Sequence, residues 1–191
     1  MLSIEQISEI FKTTGTFMEG HFRLTSGLHS KLYVEKFRLL ENPHYTAILC
    51  QEIAARFNKQ GVTVVVGPAM GGVIIAYEVA RALGVRAVFC EREDGHLALR
   101  RGFRIAPSDR VLVVEDIVTT GGSVKEVLRV VEQCGATIVG VGLLVDRSGG
   151  EVSLGYPTEA LLTMTVQTYA PDTCPLCEQG LPIVKPGSRV S

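Results

Sequence analysis

Apolar residues recur along the chain first with a helical period and then in short unbroken runs. Ile4, Ile7, Ile10 and Phe11 repeat at helical spacing behind Ser3, which makes a capping box with Gln6, so the pattern predicts a helix over roughly 3–14. Residues 15–40 mix polarities, with Ser26-Gly27 as a turn and strand-like pieces around 22–24 and 32–34. A longer helix follows, with Asn42 as N-cap, Pro43 at the first helical position, an apolar face of Tyr45, Ile48, Leu49, Ile53 and Phe57, and Gly61 as its stop. From 62 the pattern changes. Residues 62–66 are all β-branched, as in a strand buried on both faces; 67–72 reads as a loop, 73–83 as a helix closed by Gly84, 86–90 as a strand, and 91–104 as a polar stretch. The alternation then repeats as strand 111–114, loop 115–122, helix 123–134, Gly135 and strand 137–145, with a last strand within 160–169 and a Pro/Gly-rich tail over 171–191. Strands alternating with helices predict βαβ units: one α/β domain with a parallel sheet, helices on both faces and an extra N-terminal layer.

Composition narrows the class. The 191 residues are 46% hydrophobic and 20% charged, the balance of a globular domain that folds without disulfide or metal. Nineteen basic residues against twenty acidic leave a net charge of −1, which argues against bulk nucleic-acid binding but not against a local basic site. The longest uncharged stretch, 60–77, is broken by Pro68 and by Gly61, Gly67, Gly71 and Gly72, so it does not read as a membrane span. Of the five cysteines, Cys50, Cys90 and Cys134 fall in apolar element patterns, as buried free thiols do. With no basic segment leading into an apolar one at the start, these features predict a soluble cytoplasmic protein with neither nucleic acid nor membrane as partner.

The chemistry concentrates in Glu115-Asp116-Ile117-Val118-Thr119-Thr120-Gly121-Gly122-Ser123. In open parallel sheets ligands bind beyond the carboxyl ends of the strands, where this segment lies. Two carboxylates there can accept hydrogen bonds from a diol, and Thr-Thr-Gly-Gly-Ser opening a helix brings backbone N–H groups, hydroxyls and a positive dipole end onto a phosphate. Together they match a sugar phosphate. No Lys directly follows the glycines, so this is not a P-loop, and G-x-G-x-x-G is absent.

The run Val111–Ser123 resembles the phosphoribosyl-diphosphate (PRPP) signature of the type I phosphoribosyltransferases, and the chain resembles the orotate phosphoribosyltransferases over essentially its whole length. Thr25-Ser26-Gly27 with Ser30 and Tyr33 is similar to that family's N-terminal hood motif, Arg100-Arg101-Gly102-Phe103 to one of its loop variants, and Asp146-Arg147-Ser148-Gly149-Gly150 to its base-binding turn. The resemblance implies a single phosphoribosyltransferase domain: a hood of roughly 1–40 plus part of the C-terminal region, a core of roughly 41–170, and the tail 171–191. It implies that Glu115 and Asp116 hold the ribose hydroxyls, that Ile117, Val118, Thr119, Thr120, Gly121, Gly122 and Ser123 complete the PRPP site, and that Gly67-Pro68-Ala69-Met70-Gly71-Gly72 is the pyrophosphate loop. Thr119 and Arg147 would contact orotate; a guanidinium suits its carboxylate. Arg92, His96, Arg100 and Arg101 would belong to a mobile loop completing the partner's site in a homodimer. Mg²⁺ would be held through PRPP rather than by the protein directly. The implied activity is phosphoribosyl transfer from PRPP to orotate in pyrimidine synthesis, giving orotidine 5′-phosphate and pyrophosphate. A purine-type phosphoribosyltransferase, or a non-enzymatic PRPP sensor, would share the same site; the hood and Arg147 weigh against the first, and the charge balance against a DNA-binding form of the second.

The chain departs from the family pattern in two places. Thr25 stands where many members carry a lysine, and no lysine occurs between Lys59 and Lys125, so the mobile loop offers arginines and His96 in place of lysines. The tail carries Cys174-Pro175-Leu176-Cys177. One C-x-x-C supplies two of the four ligands of a closed zinc site, and neither His29 nor another cysteine stands at a recognisable partner spacing, which leaves a turn, a redox-labile pair or a zinc shared across a dimer.

Overall fold

The computed structural model describes residues 1–186. The Ser3–Gln6 capping box is formed, and it opens α1 (Ile4–Thr13). Ile7 and Phe11 of α1 are buried; Ile4, in the first turn, is left in solvent while Leu2 and Ile10 pack on the core. β1 (Phe17–Arg23) and β2 (His29–Val34) make an antiparallel hairpin. A short helix, α2 (Lys36–Leu40), precedes α3 (Pro43–Phe57). Five residues are too few for a helical period to register, so the sequence pattern does not announce α2. α3 ends at Phe57, ahead of the predicted stop at Gly61.

The alternating region supplies β3 (Val64–Pro68), α4 (Gly71–Leu83), β4 (Arg86–Glu93), β5 (His96–Leu99), β6 (Arg110–Val118), α5 (Gly122–Gln133), β7 (Thr137–Asp146) and β8 (Thr158–Thr163). These strands form one six-stranded sheet in the order β5-β4-β3-β6-β7-β8, parallel throughout except for the antiparallel β4–β5 pair. β9 (Thr168–Tyr169) instead joins β2, completing a second sheet in the order β1-β2-β9, and α6 (Pro175–Glu178) follows a 3₁₀ turn at Pro171–Thr173.

Alternation along the central strands divides the core. Val65, Leu112 and Val114 point to the face covered by α1, α3 and α4, whereas Val64, Val66, Val111 and Val113 pack with Val124, Val127, Leu128 and Val131 of α5 on the other. Unbroken β-branched runs arise because both faces must be apolar.

Four predicted boundaries need correction. Loop 115–122 shrinks to three residues, because β6 keeps pairing with β7 as far as Val118↔Asp146. The polar stretch 91–104 is not a loop throughout: Cys90 to Glu93 pair with Leu99 to His96 in a hairpin turned by Asp94 and Gly95, both at positive φ. The predicted strand at 160–169 splits between the two sheets. The tail is partly helical, its C-x-x-C does not stand alone but faces His21 and His29, and its last residues, 187–191, lie outside the described ones.

β7 admits α3 closely by using glycine. A methyl group on Gly142 would lie 2.6 Å from Ile53 Cγ2. Gly142→Ala should therefore overpack the α3–β7 contact and lower stability by about 1–3 kcal/mol, read as an earlier urea midpoint at unchanged m-value. An unchanged midpoint would mean that α3 is not seated on this strand as described.

Candidate functional site

Asp116 continues the parity of Leu112 and Val114 on β6, which directs it towards α2 and the start of α4. It is only 2% exposed. Its Oδ2 lies 2.7 Å from Lys36 Nζ, and its Oδ1 accepts a 2.7 Å hydrogen bond from Ile117 N. Glu115 is also buried, and its Oε1 accepts from Asp116 N at 3.0 Å. Burial first, and then the Asp116 carboxylate, push the Glu115 pKa above the usual carboxylate range. Burial pushes Asp116 up too, and the Lys36 ammonium offsets only part of it. For Lys36 itself burial opposes the charge, but the pairing with Asp116, backed by Glu115 and Tyr33, outweighs it and holds the ammonium above its ordinary value.

Lys36 is a site residue that the motifs do not mark. The available signal is a cation in the first turn of a helix, against the dipole, which requires a nearby anion to explain it. Gly71 is the other contact that fixes Asp116: any Cβ there would overlap the Asp116 Oδ2 atom.

Two helix N-termini open at the carboxyl edge of the sheet. Gly121, with φ +75°, leads Thr119-Thr120 into α5, and no side chain caps that helix. A Cβ on Gly121 would also press on Val152 and Leu154, at 2.8 and 3.0 Å, so both its backbone angle and its surroundings demand glycine. β3 runs through Gly67-Pro68 to Ala69, whose N donates to Cys90 O at 2.7 Å; the Ala69–Met70 peptide is cis, and Gly71-Gly72 begin α4, again without a side-chain cap. Uncapped N–H groups at both starts suit anionic oxygens.

Across the cleft, β7 ends in a turn held by Asp146, whose Oδ1 accepts from Ser148 N at 2.8 Å and Ser148 Oγ at 2.7 Å and whose Oδ2 accepts from Gly150 N at 3.1 Å. The turn projects Arg147, whose backbone N donates to Val118 O at 2.8 Å. The Arg147 Nε is buried and has no hydrogen-bond partner among the described residues. Burial lowers the guanidinium's pKa from its ordinary value, with Tyr33 acting in the opposite direction.

Thr25, Ser26, Tyr33, Asp116, Ile117, Thr119, Thr120 and Arg147 line a single cleft of about 1310 Å³, together with Lys36, Arg23 and Lys185. Glu115, Val118, Gly121, Gly122, Ser123 and Ala69, Met70, Gly71 and Gly72, the expected pyrophosphate loop, lie outside that lining. So do Arg92, His96, Arg100 and Arg101. Arg92 reaches Glu126 of α5 at 3.2 Å, Arg100 pairs with Glu93 at 3.2 Å and Arg101 with Glu91 at 3.0 Å, so the predicted mobile loop is a hairpin with its arginines engaged in their own chain.

Known proteins match this arrangement. Residues 39–158 match the model of the phosphoribosyl transferase domain. An orotate phosphoribosyltransferase of Desulforamulus reducens is 60% identical over 185 residues, 97% of each chain. The crystal structure of orotate phosphoribosyltransferase from Aeropyrum pernix superimposes with a TM-score of 0.66 at 26% identity, covering 82% of this chain and 93% of that one. That of adenine phosphoribosyltransferase from Rhodothermus marinus reaches 0.64 at 20% identity, covering 82% and 99%, so the fold alone does not choose a base.

The sign of the Glu115 effect is testable in the free protein. A carboxyl whose folded pKa is raised lends stability that is complete below the ordinary carboxylate range and is lost as pH rises through the raised value. Glu115→Gln, which cannot ionise, should raise the melting temperature at neutral pH, with the gain vanishing in acid. A melting temperature lowered at neutral pH but not in acid would show that the charge is stabilising.

Proposed function

The chain belongs to the phosphoribosyltransferase family, and within it to the orotate phosphoribosyltransferases, and from that membership we propose how its residues carry out the transfer of the phosphoribosyl group from PRPP to orotate. The reaction breaks the C1–O bond to pyrophosphate and forms a C1–N bond to the base, giving orotidine 5′-phosphate. Little covalent work falls to the protein; catalysis is positioning and electrostatics.

The observation that carries the reading is Arg147: a half-buried guanidinium in the cleft, with an Nε that lacks a partner among the described residues. The carboxylate of orotate meets that guanidinium with a full negative charge, whereas a purine offers only neutral ring acceptors. In the roles we assign, Asp116 and Glu115 accept hydrogen bonds from the ribose hydroxyls, Thr119 to Ser123 receive the 5-phosphate, and Ala69 to Gly72 receive the pyrophosphate. Thr25, Ser26 and Tyr33 close over the base beside Thr119. Lys36 offsets part of the cost of burying Asp116 and so favours its charged, accepting form.

Mg²⁺ fits this site only in one way. Asp116 Oδ2 already faces Lys36, Glu115 accepts from backbone, and no cluster of three or more ligating side chains occurs at the cleft among the described residues. A hard cation that keeps its waters and rides on substrate phosphates suits such a site, whereas a protein cage does not exist for it. Its contribution is to neutralise the leaving pyrophosphate.

We further propose a homodimer in which the β4–β5 hairpin serves the neighbouring site. Its cations stand apart from the cleft of their own chain, and Met70, Ile74 and Tyr77 expose an apolar row beginning at the pyrophosphate loop and running along α4. No helix among the described residues is long and apolar enough to cross a membrane, and five free thiols suit a reducing, cytoplasmic setting.

Arg147→Ala should raise the orotate KM by about ten- to a hundredfold, the loss of a charge-assisted contact worth about 1.5–3 kcal/mol, while the PRPP KM stays nearly constant. Steady-state assays with orotate, uracil, xanthine and hypoxanthine test the base itself: turnover of a purine but not orotate would overturn the assignment. The shared site is tested by refolding Arg92→Ala with Asp116→Asn in equal amounts. If each is nearly inactive alone, half the dimers are mixed and each holds one intact site, so activity should return to about a quarter of the unmodified enzyme. Activity remaining at the mutant level would mean that each hairpin serves its own chain.

A further inference from the structure

Four side chains that the phosphoribosyl transfer does not use converge between the hood hairpin and the tail: His21 of β1, His29 of β2, and Cys174 and Cys177. Their ligand atoms all lie within 4.8 Å of one another. His21 Nε2 is 3.1 Å from His29 Nδ1 and 3.7 Å from each Sγ, and His29 Nδ1 is 3.3 Å from Cys177 Sγ. With Zn–N of about 2.0–2.1 Å and Zn–S of about 2.3 Å, a tetrahedral ion requires ligand–ligand edges of roughly 3.3–3.8 Å, close to the separations found.

The tautomer of His21 points the same way. Its Nδ1 is 2.9 Å from the Leu181 carbonyl oxygen, which can only accept, so Nδ1 carries the hydrogen, and Nε2 is the ring nitrogen that faces His29 and both sulfurs. A carbonyl holding the far ring nitrogen is the usual outer contact of a metal-bound histidine. Two thiols with two residues between them and two imidazoles form a soft, closed, four-membered set with no position left for substrate, which selects a structural zinc ion over Mg²⁺ or a catalytic metal. His21, His29 and Cys174 are buried while Cys177 is exposed, so an ion can enter on one side.

We propose that this chain binds one zinc ion through His21, His29, Cys174 and Cys177, and that the ion clamps the tail onto the hood hairpin. All four ligands come from one chain, so the site needs no partner subunit. Its placement gives it a task. The hairpin connection at Thr25 to Leu28 lines the cleft, and so do Lys185 and Pro186, just beyond the tail residue Val184, which exchanges hydrogen bonds with the hairpin through His21 O and Arg23 N at 2.8 and 2.9 Å. The ion would fix the wall over the cleft without touching what binds there. The proposal does not depend on which base is used.

The test is elemental analysis of the full chain, purified without chelator or histidine tag under reducing conditions from zinc-supplemented cells. About one zinc per chain is expected. Cys134→Ser should keep it, whereas Cys177→Ser and His29→Gln should lose it. Cobalt substitution of the unaltered protein avoids dependence on the variants folding: it should give the intense visible bands of tetrahedral cobalt and a thiolate charge-transfer band. Zinc-free protein whose thiols are fully reduced and which gives no such cobalt bands would overturn the proposal, as would stoichiometric zinc retained by folded Cys177→Ser and His29→Gln.

Discussion

A carboxylate held away from water organises the carboxyl edge of the sheet. Asp116 sits where β6, the first turn of α2 and the first turn of α4 meet, and each gives way to it: α2 by placing Lys36 against its own dipole, α4 by beginning with a glycine. Lys36 keeps about a third of its side chain in solvent, so the pair contributes little net stability, but without it the buried Asp116 carboxylate would lack its countercharge. The pair is therefore better understood as a positioning device than as a source of stability. It fixes a hydrogen-bond acceptor in the floor of the cleft.

The sheet and its ligand edge were legible because their physics is local and periodic. β-branched runs, a capping box, glycine at helix ends and the Glu115–Ser123 segment each carry their meaning within a dozen residues. What was illegible depends on distance or on competition. Lys36 has no motif, since its partner lies far along the chain. The β4–β5 hairpin hides behind a charged sequence because its arginines are neutralised by Glu91, Glu93 and Glu126 and its strands sit at a sheet edge, where polar side chains are tolerated. His21 and His29 gave no metal spacing because their partners arrive from the far end of the chain. Loop 115–122 was overestimated for another reason: carboxylates look like strand terminators unless the neighbouring strand continues beside them.

One helix links the carboxyl edge of the sheet to the β4–β5 hairpin. α5 begins at the Gly121 cradle, and one turn further on its Glu126 accepts from Leu97 N and from the Arg92 guanidinium. These contacts are largely exposed, and surface pairs of this kind are weak.

The second sheet has a consequence for how the protein is made. Ser30 bonds to Gln167, 137 residues further along, and His21 to Leu181, 160 residues further along, so the hood cannot close until nearly the whole chain has left the ribosome. The βαβ layers between them depend on much shorter loops and can condense first during synthesis. Binding competence is thereby the last property the nascent chain acquires, and a truncated product ending before β9 would present a formed sheet with an unroofed cleft and an unpaired β2 edge, a template for strand addition by other chains.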